Sequence, residues 1–293
     1  MSSRGWLLFG AMGIIWGIPY LLIKVSVDAV GPASLVFART AIGAAVLMPI
    51  AVVRGHVRPV LQRWRPLLLF TVAELAVPWV LLSYAEERLA SSLSGLLVAA
   101  VPLAAVLLDR LSGSSERLSR LRALGLVVGL AGVATLVGLD VRRSDLLSVL
   151  AIGVVVLGYS TGPLVLSRSL SDLPSLGVLS LSLGLTAVAY LPVAIATQPA
   201  KLPPPSVTAA ILTLGLICTA LGFLLFFELI DEVGPVRATV VAYVNPAVAV
   251  LLGVVFLGEP FTAAIAAGFV LVIAGSVLAG RQDQRATKAH PAR

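Results

Sequence analysis

The chain has little of what a water-soluble domain needs. Asp, Glu, Lys and Arg make up 12% of its 293 residues, against about 25% in a typical soluble domain. Cys218 is the single cysteine, so no disulfide can form within the chain, and the two histidines are His56 and His290. One thiol and two distant imidazoles cannot assemble a zinc site of the usual spacing. No lysine follows a glycine, which excludes the G-x-x-x-x-G-K phosphate loop and an ATP engine built on it. H-E-x-x-H does not occur, and the one G-x-S-x-G, residues 158–162, lies inside the uncharged run 146–167 rather than on the strand-to-helix turn a hydrolase nucleophile needs. No catalytic residue, metal or cofactor is expected. An enzyme acting on lipids is disfavoured, because no His, Asp or Ser cluster appears at the end of an apolar run.

What is present is hydrocarbon. Apolar residues make up 59% of the chain, and mean hydropathy is +1.04. Residues 5–23, 89–108, 123–139, 146–167, 173–200, 202–227, 238–258 and 260–280 contain no charged side chain. Two further apolar stretches carry one charge each: about 34–53 with Arg39, and about 66–85 with Glu74. A helix needs roughly 17–25 residues to cross the hydrocarbon core. Backbone in lipid must be paired within the protein, so only helices or closed barrels span, and continuous runs exclude the short alternating strands of a barrel. Ten transmembrane helices are predicted.

The net charge of +7 does not mark a nucleic-acid surface, because the basic residues are dispersed between apolar runs. It orients the helices instead, since short cytoplasmic loops collect Lys and Arg. With the N-terminus inside, only Lys24, Arg88, Arg142, Arg143 and Lys201 fall outside, and Arg39 falls within a helix. The other basic residues lie inside, about three to one, which predicts that both termini are cytoplasmic.

The chain also says the same thing twice. Pro102-Leu103-Ala104-Ala105-Val106-Leu107-Leu108 recurs as Pro246-Ala247-Val248-Ala249-Val250-Leu251-Leu252, 144 residues later. Gly125 matches Gly268, Ala131-Gly132 matches Ala274-Gly275, and Pro49 matches Pro192, all at an offset of 143. Two copies of five helices, an odd number, must enter the membrane from opposite sides. The predicted fold is thus an all-α integral membrane protein of ten transmembrane helices in two inverted five-helix repeats, 5–139 and 145–280, with a cytoplasmic tail 281–293. Folds of this kind hold their substrate near the midplane between the halves.

Several motifs resemble a known family. Trp16-Gly17-Ile18-Pro19-Tyr20-Leu21-Leu22-Ile23-Lys24 is similar to the "WG…K" signature in the first helix of EamA-type proteins of the drug/metabolite transporter superfamily. Phe37-Ala38-Arg39 resembles that family's F-x-R in helix two. Pro102 and Pro246 each head a helix that ends before an acidic residue, Glu116 and the Glu259 of Leu257-Gly258-Glu259. The resemblance implies a carrier of small metabolites, often an exporter, working without ATP in the bacterial inner membrane. The second copy departs from the first: Leu157-Gly158-Tyr159 stands where the Trp-Gly pair would be, and about Ser182 where Arg39 would be. The resulting expectation is export of a small metabolite, such as an amino acid or related amphiphile, by alternating access. A channel or a non-transporting membrane protein is the alternative. The partners expected are a small-molecule substrate, the lipid bilayer and protons, with the chain a monomer or weak oligomer.

The candidate binding residues are the polar and aromatic side chains at depth. Glu74 lies well inside helix three; a charge there costs several kcal/mol and normally faces a cavity or a partner. It is the candidate for proton coupling or for a substrate amine, with a structural carboxylate as the other reading. Trp16, Tyr20 and Lys24, spaced i, i+4, i+8, share a face and can stack and pair a ligand; equally, Lys24 can snorkel to the surface. Gly13 and Gly17 on the same helix read as close-packing positions. Arg39 reads as a structural pair, with Asp28 a possible partner. Trp79, Tyr159 and Phe223 can reach a central cavity, as can Tyr84 and Phe227. Thr239, Tyr243 and Asn245 lie around Pro246, which frees a carbonyl one turn earlier, near Ala242. Glu228, Asp231 and Glu232 read as solvated.

Overall fold

The computed structural model describes residues 2–111, 120–140, 145–197, 202–234 and 238–280. The expected acidic motif at Gly113–Glu116 and the tail 281–293 lie outside the described residues. Nine of the described helices are long and apolar enough to cross a membrane: α1 Ser3–Val30, α2 Pro32–Val53, α3 Trp64–Glu86, α4 Ser91–Leu108, α5 Arg120–Val137, α6 Leu146–Leu170, α7 Ser175–Ala196, α8 Pro205–Val233 and α9 Val240–Leu257. The tenth, α10 Ala263–Ala279, is apolar but shorter. Among the described residues there is no strand. Leucine, valine and alanine point outward along most helices because their surroundings are to be lipid; Leu7, Val53, Val127 and Val188 are all largely exposed.

The helices pack in pairs. The most extensive contacts are α5 on α10, α3 on α6, α2 on α7 and α1 on α8, followed by α1 on α9 and α2 on α8, then α4 on α6 and α4 on α9. Exchanging α1–α5 for α6–α10 carries this pattern onto itself: α1 on α8 becomes α6 on α3, and α1 on α9 becomes α6 on α4. Polar ties also join the halves. Arg63 makes two 2.7 Å hydrogen bonds to the Asp172 carboxylate, and Arg4 lies 2.7 Å from Glu228. Glu228 and Glu232 are therefore ion-paired with Arg4 rather than merely solvated.

Besides a π-helical end of α6 at Leu166–Leu170, four interruptions break the regular helices, and three lie around the centre of the bundle. α3 widens to a π-helical segment at Thr71–Ala76 and α8 at Leu214–Leu221, equivalent places in the two copies. In α3 the cause is Pro78, which has no N–H to return to the carbonyl of residue 74; the Val77 N–H bonds back to Val72 instead. In α8 the Thr219 hydroxyl takes the Leu214 carbonyl at 2.8 Å. α4 breaks at Ala99–Ala100, just before Pro102, and α9 begins as a 3₁₀ segment, Thr239–Tyr243, just before Pro246.

Close approach depends on glycine. A Cβ on Gly17 would lie 2.4 Å from the Val248 Cβ, which lets α1 seat against α9, and Gly13 meets Val244 in the same way. Both act as the close-packing positions expected of them. Overpacking of this kind costs about 1–3 kcal/mol. Gly17→Ala should lower the thermal unfolding midpoint of the purified protein by several degrees. Gly10→Ala, where nothing lies within 4 Å, should leave it unchanged.

Candidate functional site

The interrupted segments enclose a cavity of about 260 Å³. That is a little below the roughly 300–1,000 Å³ of most small-molecule pockets, a space for a metabolite rather than a lipid. Its wall draws on both halves. α1 gives Trp16, Pro19 and Tyr20, and α2 gives Arg39. The π segment of α3 gives Glu74 and Leu75, with Trp79 one turn later. From the second half come Tyr159 of α6, Phe223 of α8, and Ala242, Asn245 and Pro246 of α9. The broken stretch of α4, Val98–Pro102, closes it.

Seven of the ten sequence-derived candidates meet here: Trp16, Tyr20, Glu74, Trp79, Tyr159, Phe223 and Asn245. Lys24 does not. Its ammonium reaches the backbone carbonyls of Glu86 at 2.5 Å and Glu87 at 3.5 Å, because two turns of helix carry it past the aromatic pair to the end of α3. Tyr243 does not line the cavity either; the 3₁₀ turn swings its hydroxyl toward the Ser276 carbonyl, 3.4 Å away. The Thr239 side chain lies outside the described residues. Of the further aromatics, Tyr84 and Phe227 are not in the wall.

Arg39 is the member whose partner the sequence misplaced. Asp28 is not its partner. Instead the guanidinium stacks over the Trp79 ring, 3.7 Å from its centroid, and Nε donates to the Thr219 hydroxyl at 2.8 Å. Both supports come from interrupted helices: Thr219 from the π segment of α8, and Trp79 from just past that of α3. A cation–π contact shielded from water contributes about 2 kcal/mol, so the cation is held without being neutralised. At the related place in the second copy, Ser182 accepts from the Thr71 hydroxyl at 2.8 Å. A neutral pair thus replaces the charged one, and the guanidinium and the carboxyl group of the cavity wall, Arg39 and Glu74, both come from the first half.

The opposite charge belongs to Glu74. Its Oε2 is buried over Gly162, where a Cβ would be 2.0 Å away, and it has no hydrogen-bond partner. Asn245 Oδ1 is likewise buried and unpartnered. The wall therefore presents two acceptor oxygens with spare capacity and a guanidinium already fixed in place. Aromatic surface lies between them: Trp16 meets Phe223 edge-on, with ring centroids 5.4 Å apart. Among the described residues no group of three or more His, Cys, Asp and Glu is placed to hold a metal.

The model of the EamA-like transporter family matches residues 3–138 and again residues 146–281. The chain belongs to the EamA-like transporter family. Curated relatives agree with this EamA assignment. An uncharacterised inner membrane transporter, YedA of Escherichia coli K12, is 31% identical over 264 residues, 86% of this chain and 83% of that one. A protein of Streptantibioticus cattleyicolor described as a "probable terminal-alkyne amino-acid exporter" is 26% identical, covering 96% of this chain and 95% of that one. The uncharacterised transporter YvbV of Bacillus subtilis is 24% identical across 97% of this chain. A solved crystal structure aligns with a TM-score of 0.68 at 24% identity, covering 96% of this chain and 98% of that one; this likeness concerns the fold alone. The protein is thus a multi-pass membrane protein of a transporter family, and its relatives' names point to transport rather than catalysis.

Thr219→Val keeps the side chain's shape but leaves Arg39 Nε without an acceptor and the Leu214 carbonyl without its hydroxyl donor. A buried donor left unpaired costs about 1–3 kcal/mol, more when charged. The thermal midpoint should fall by several degrees. Thr213→Val, whose hydroxyl only returns to its own helix at Ala209, should shift it little.

Proposed function

We propose that this EamA-like protein is a secondary transporter that exports an amino acid or a closely related zwitterion with an apolar side chain. The observation that carries the reading is the pairing of Arg39 with Glu74 and Asn245 in one aromatic cavity. Arg39 is satisfied only by a hydroxyl and a ring, so it can fork onto a carboxylate. Glu74 Oε2 and Asn245 Oδ1 can accept from an ammonium. Trp16, Tyr20, Tyr159 and Phe223 supply surface for the side chain. A ligand carrying both charges satisfies both ends at once, whereas a neutral one leaves them desolvated. The Streptantibioticus relative, described as an amino-acid exporter, supports the same substrate class.

Transport follows by alternating access between two halves of opposite orientation, with both termini cytoplasmic and the protein in the inner membrane. The breaks in α4 and α9 are the hinges, since they lie beside the cavity and belong to equivalent helices. Glu74 is the coupling carboxylate of the cavity: a substrate ammonium and a proton compete for it, so loading one displaces the other. The substrate's own gradient or the proton gradient drives the cycle. No ATP is involved.

Counterflow in proteoliposomes tests this with phenylalanine as the probe. Saturable exchange is expected, weakened at least about tenfold, or about 1.4 kcal/mol, for phenylalaninol, which lacks the carboxylate, and for N-acetylphenylalanine, which lacks the ammonium. Arg39→Gln should remove the discrimination against phenylalaninol. Glu74→Gln should remove that against N-acetylphenylalanine and flatten the pH dependence of substrate affinity. Equal exchange of all three compounds, or an unaltered pH profile in Glu74→Gln, would sink the reading.

A further inference from the structure

A second group of charged side chains lies outside the substrate cavity, at the end of the bundle where α1 and α3 finish and α4 and α10 begin. Glu86, the last residue of α3, is 0% exposed, and neither of its carboxylate oxygens has a hydrogen-bond partner. Lys24 approaches it from α1, but its ammonium is hydrogen-bonded to the backbone carbonyls of Glu86 and Glu87. From the turn after α9 comes Glu259, whose Oε1 accepts from the Ser91 N–H at 2.7 Å and Oε2 from the Ser92 N–H at 2.9 Å. The Glu259 carboxylate thus caps α4 across the seam between the halves. Glu86 and Glu259 interact electrostatically, as do Glu86 and Lys24.

A hydroxyl lies beside the Glu259 carboxylate. Ser91 Oγ is buried and unpartnered. A Cβ on Gly253 would lie 3.0 Å from it and 2.3 Å from Glu259 Oε2, so hydroxyl and carboxylate flank one small space. Among Glu86, Glu259 and Lys24 two carboxylates stand against one ammonium, and Glu86 is fully buried. Buried charges are tolerated when paired or when they coordinate an ion, and a set made only of carboxylate and hydroxyl oxygens suits a hard cation. Charge balance selects one positive charge.

We propose that Glu86, Glu259 and Ser91 hold one small monovalent cation, a proton or a sodium ion, at this end of the bundle. The site differs from Glu74 in place and in consequence. Uptake there joins α3 to the α9–α10 turn and to the start of α4, and α4 runs from Ser91 to the break at Ala99–Ala100 in the cavity wall. Bound cation therefore holds this end of the seam shut, and its loss frees α4 and α9 to part. The groups that interact with Glu86 are Lys24 and Tyr20 from α1, Tyr159 from α6 and Glu259 from the α9–α10 turn; Glu259 in turn holds the Ser91 and Ser92 amides at the start of α4, and Glu87 and Arg88 follow Glu86 in the chain. Arg39 from α2 faces the cavity.

The proposal does not depend on what the substrate is, and its test uses none. The full-length protein carrying Glu74→Gln, which silences the cavity carboxylate, is compared in thermal unfolding with the Glu74→Gln/Glu86→Gln double variant. Sodium replaces potassium at constant ionic strength, between about pH 5 and 8. A midpoint that rises by several degrees with sodium, most at the alkaline end, identifies sodium. One that rises with acid and ignores sodium identifies the proton. Either response must vanish when Glu86→Gln is added; a response that survives it, or none at all, overturns the site. Should the double variant not purify folded, carbodiimide labelling of the wild-type protein decides, since the reagent modifies protonated carboxyl groups in apolar surroundings. Labelling of the Glu86 peptide that falls with rising pH or with added sodium supports the site. Absent labelling, or labelling indifferent to both, overturns it.

Discussion

Everything in this structure follows from one constraint: in a bilayer, each backbone N–H and C=O must find its partner inside the protein. Straight helices meet that demand and offer a ligand nothing. A polar site at depth can be made only where helices break, and only where other side chains settle the groups so freed. Three of the helix breaks face one space, and the groups freed at the breaks are paired locally. Val77 bonds back to Val72 past Pro78, Thr219 takes the Leu214 carbonyl, and the carbonyls of Ala99 and Val101 accept from Ser276 and Ser160 at 3.1 and 3.0 Å. The cavity is what remains between these repairs.

The same constraint explains how an arginine can be kept there. An isolated charge near the middle of a membrane is expensive. A salt bridge would remove the cost but also the function, because a neutralised guanidinium has nothing left for a ligand. The ring of Trp79 and the hydroxyl of Thr219 hold Arg39 without cancelling it. Gly158 and Gly162 let α6 lie close against the widened turn of α3, so that Glu74 is fixed on the other side. In the second copy Ser182 and Thr71 satisfy one another. A duplicated frame thus gives a lopsided site, as recognition of a lopsided ligand demands.

The proposed function and the proposed cation site give Glu74 and Glu86 different tasks. Glu74 faces the substrate cavity, and Glu86 lies beyond it, near Lys24 and Glu259. A transporter that trades substrate against an ion needs its occupancy sensed where the ligand sits and where the seam opens. Tyr20 and Tyr159 interact electrostatically with Glu86 while lining the cavity, and so lie between the two places.

Much of this was legible in the residues before any packing was known. Uncharged runs long enough to span fix an all-helical membrane protein, because no other backbone arrangement survives in lipid. The recurrence of the Pro102 stretch at Pro246 marks the two broken helices, because proline lacks the N–H a continuous helix needs. Buried acids and aromatics at depth single out Glu74, Trp16, Tyr20 and Tyr159, because such residues persist in a span only beside a cavity or a partner. Periodicity placed Lys24 on the face of Trp16 and Tyr20, yet a shared helix face does not say how far along it the cavity extends. Glu86, followed by Glu87 and Arg88 just past the apolar stretch 66–85, carries no sign of burial in the sequence; its burial comes from neighbouring helices packing over it. Arg39 needed Thr219, 180 residues away, and Trp79 from a third helix. Composition and pattern, which are local, determined the membrane class, the duplication and the breaks. Which charges are left unpaired is a relation between distant helices, and only the tertiary packing decided it.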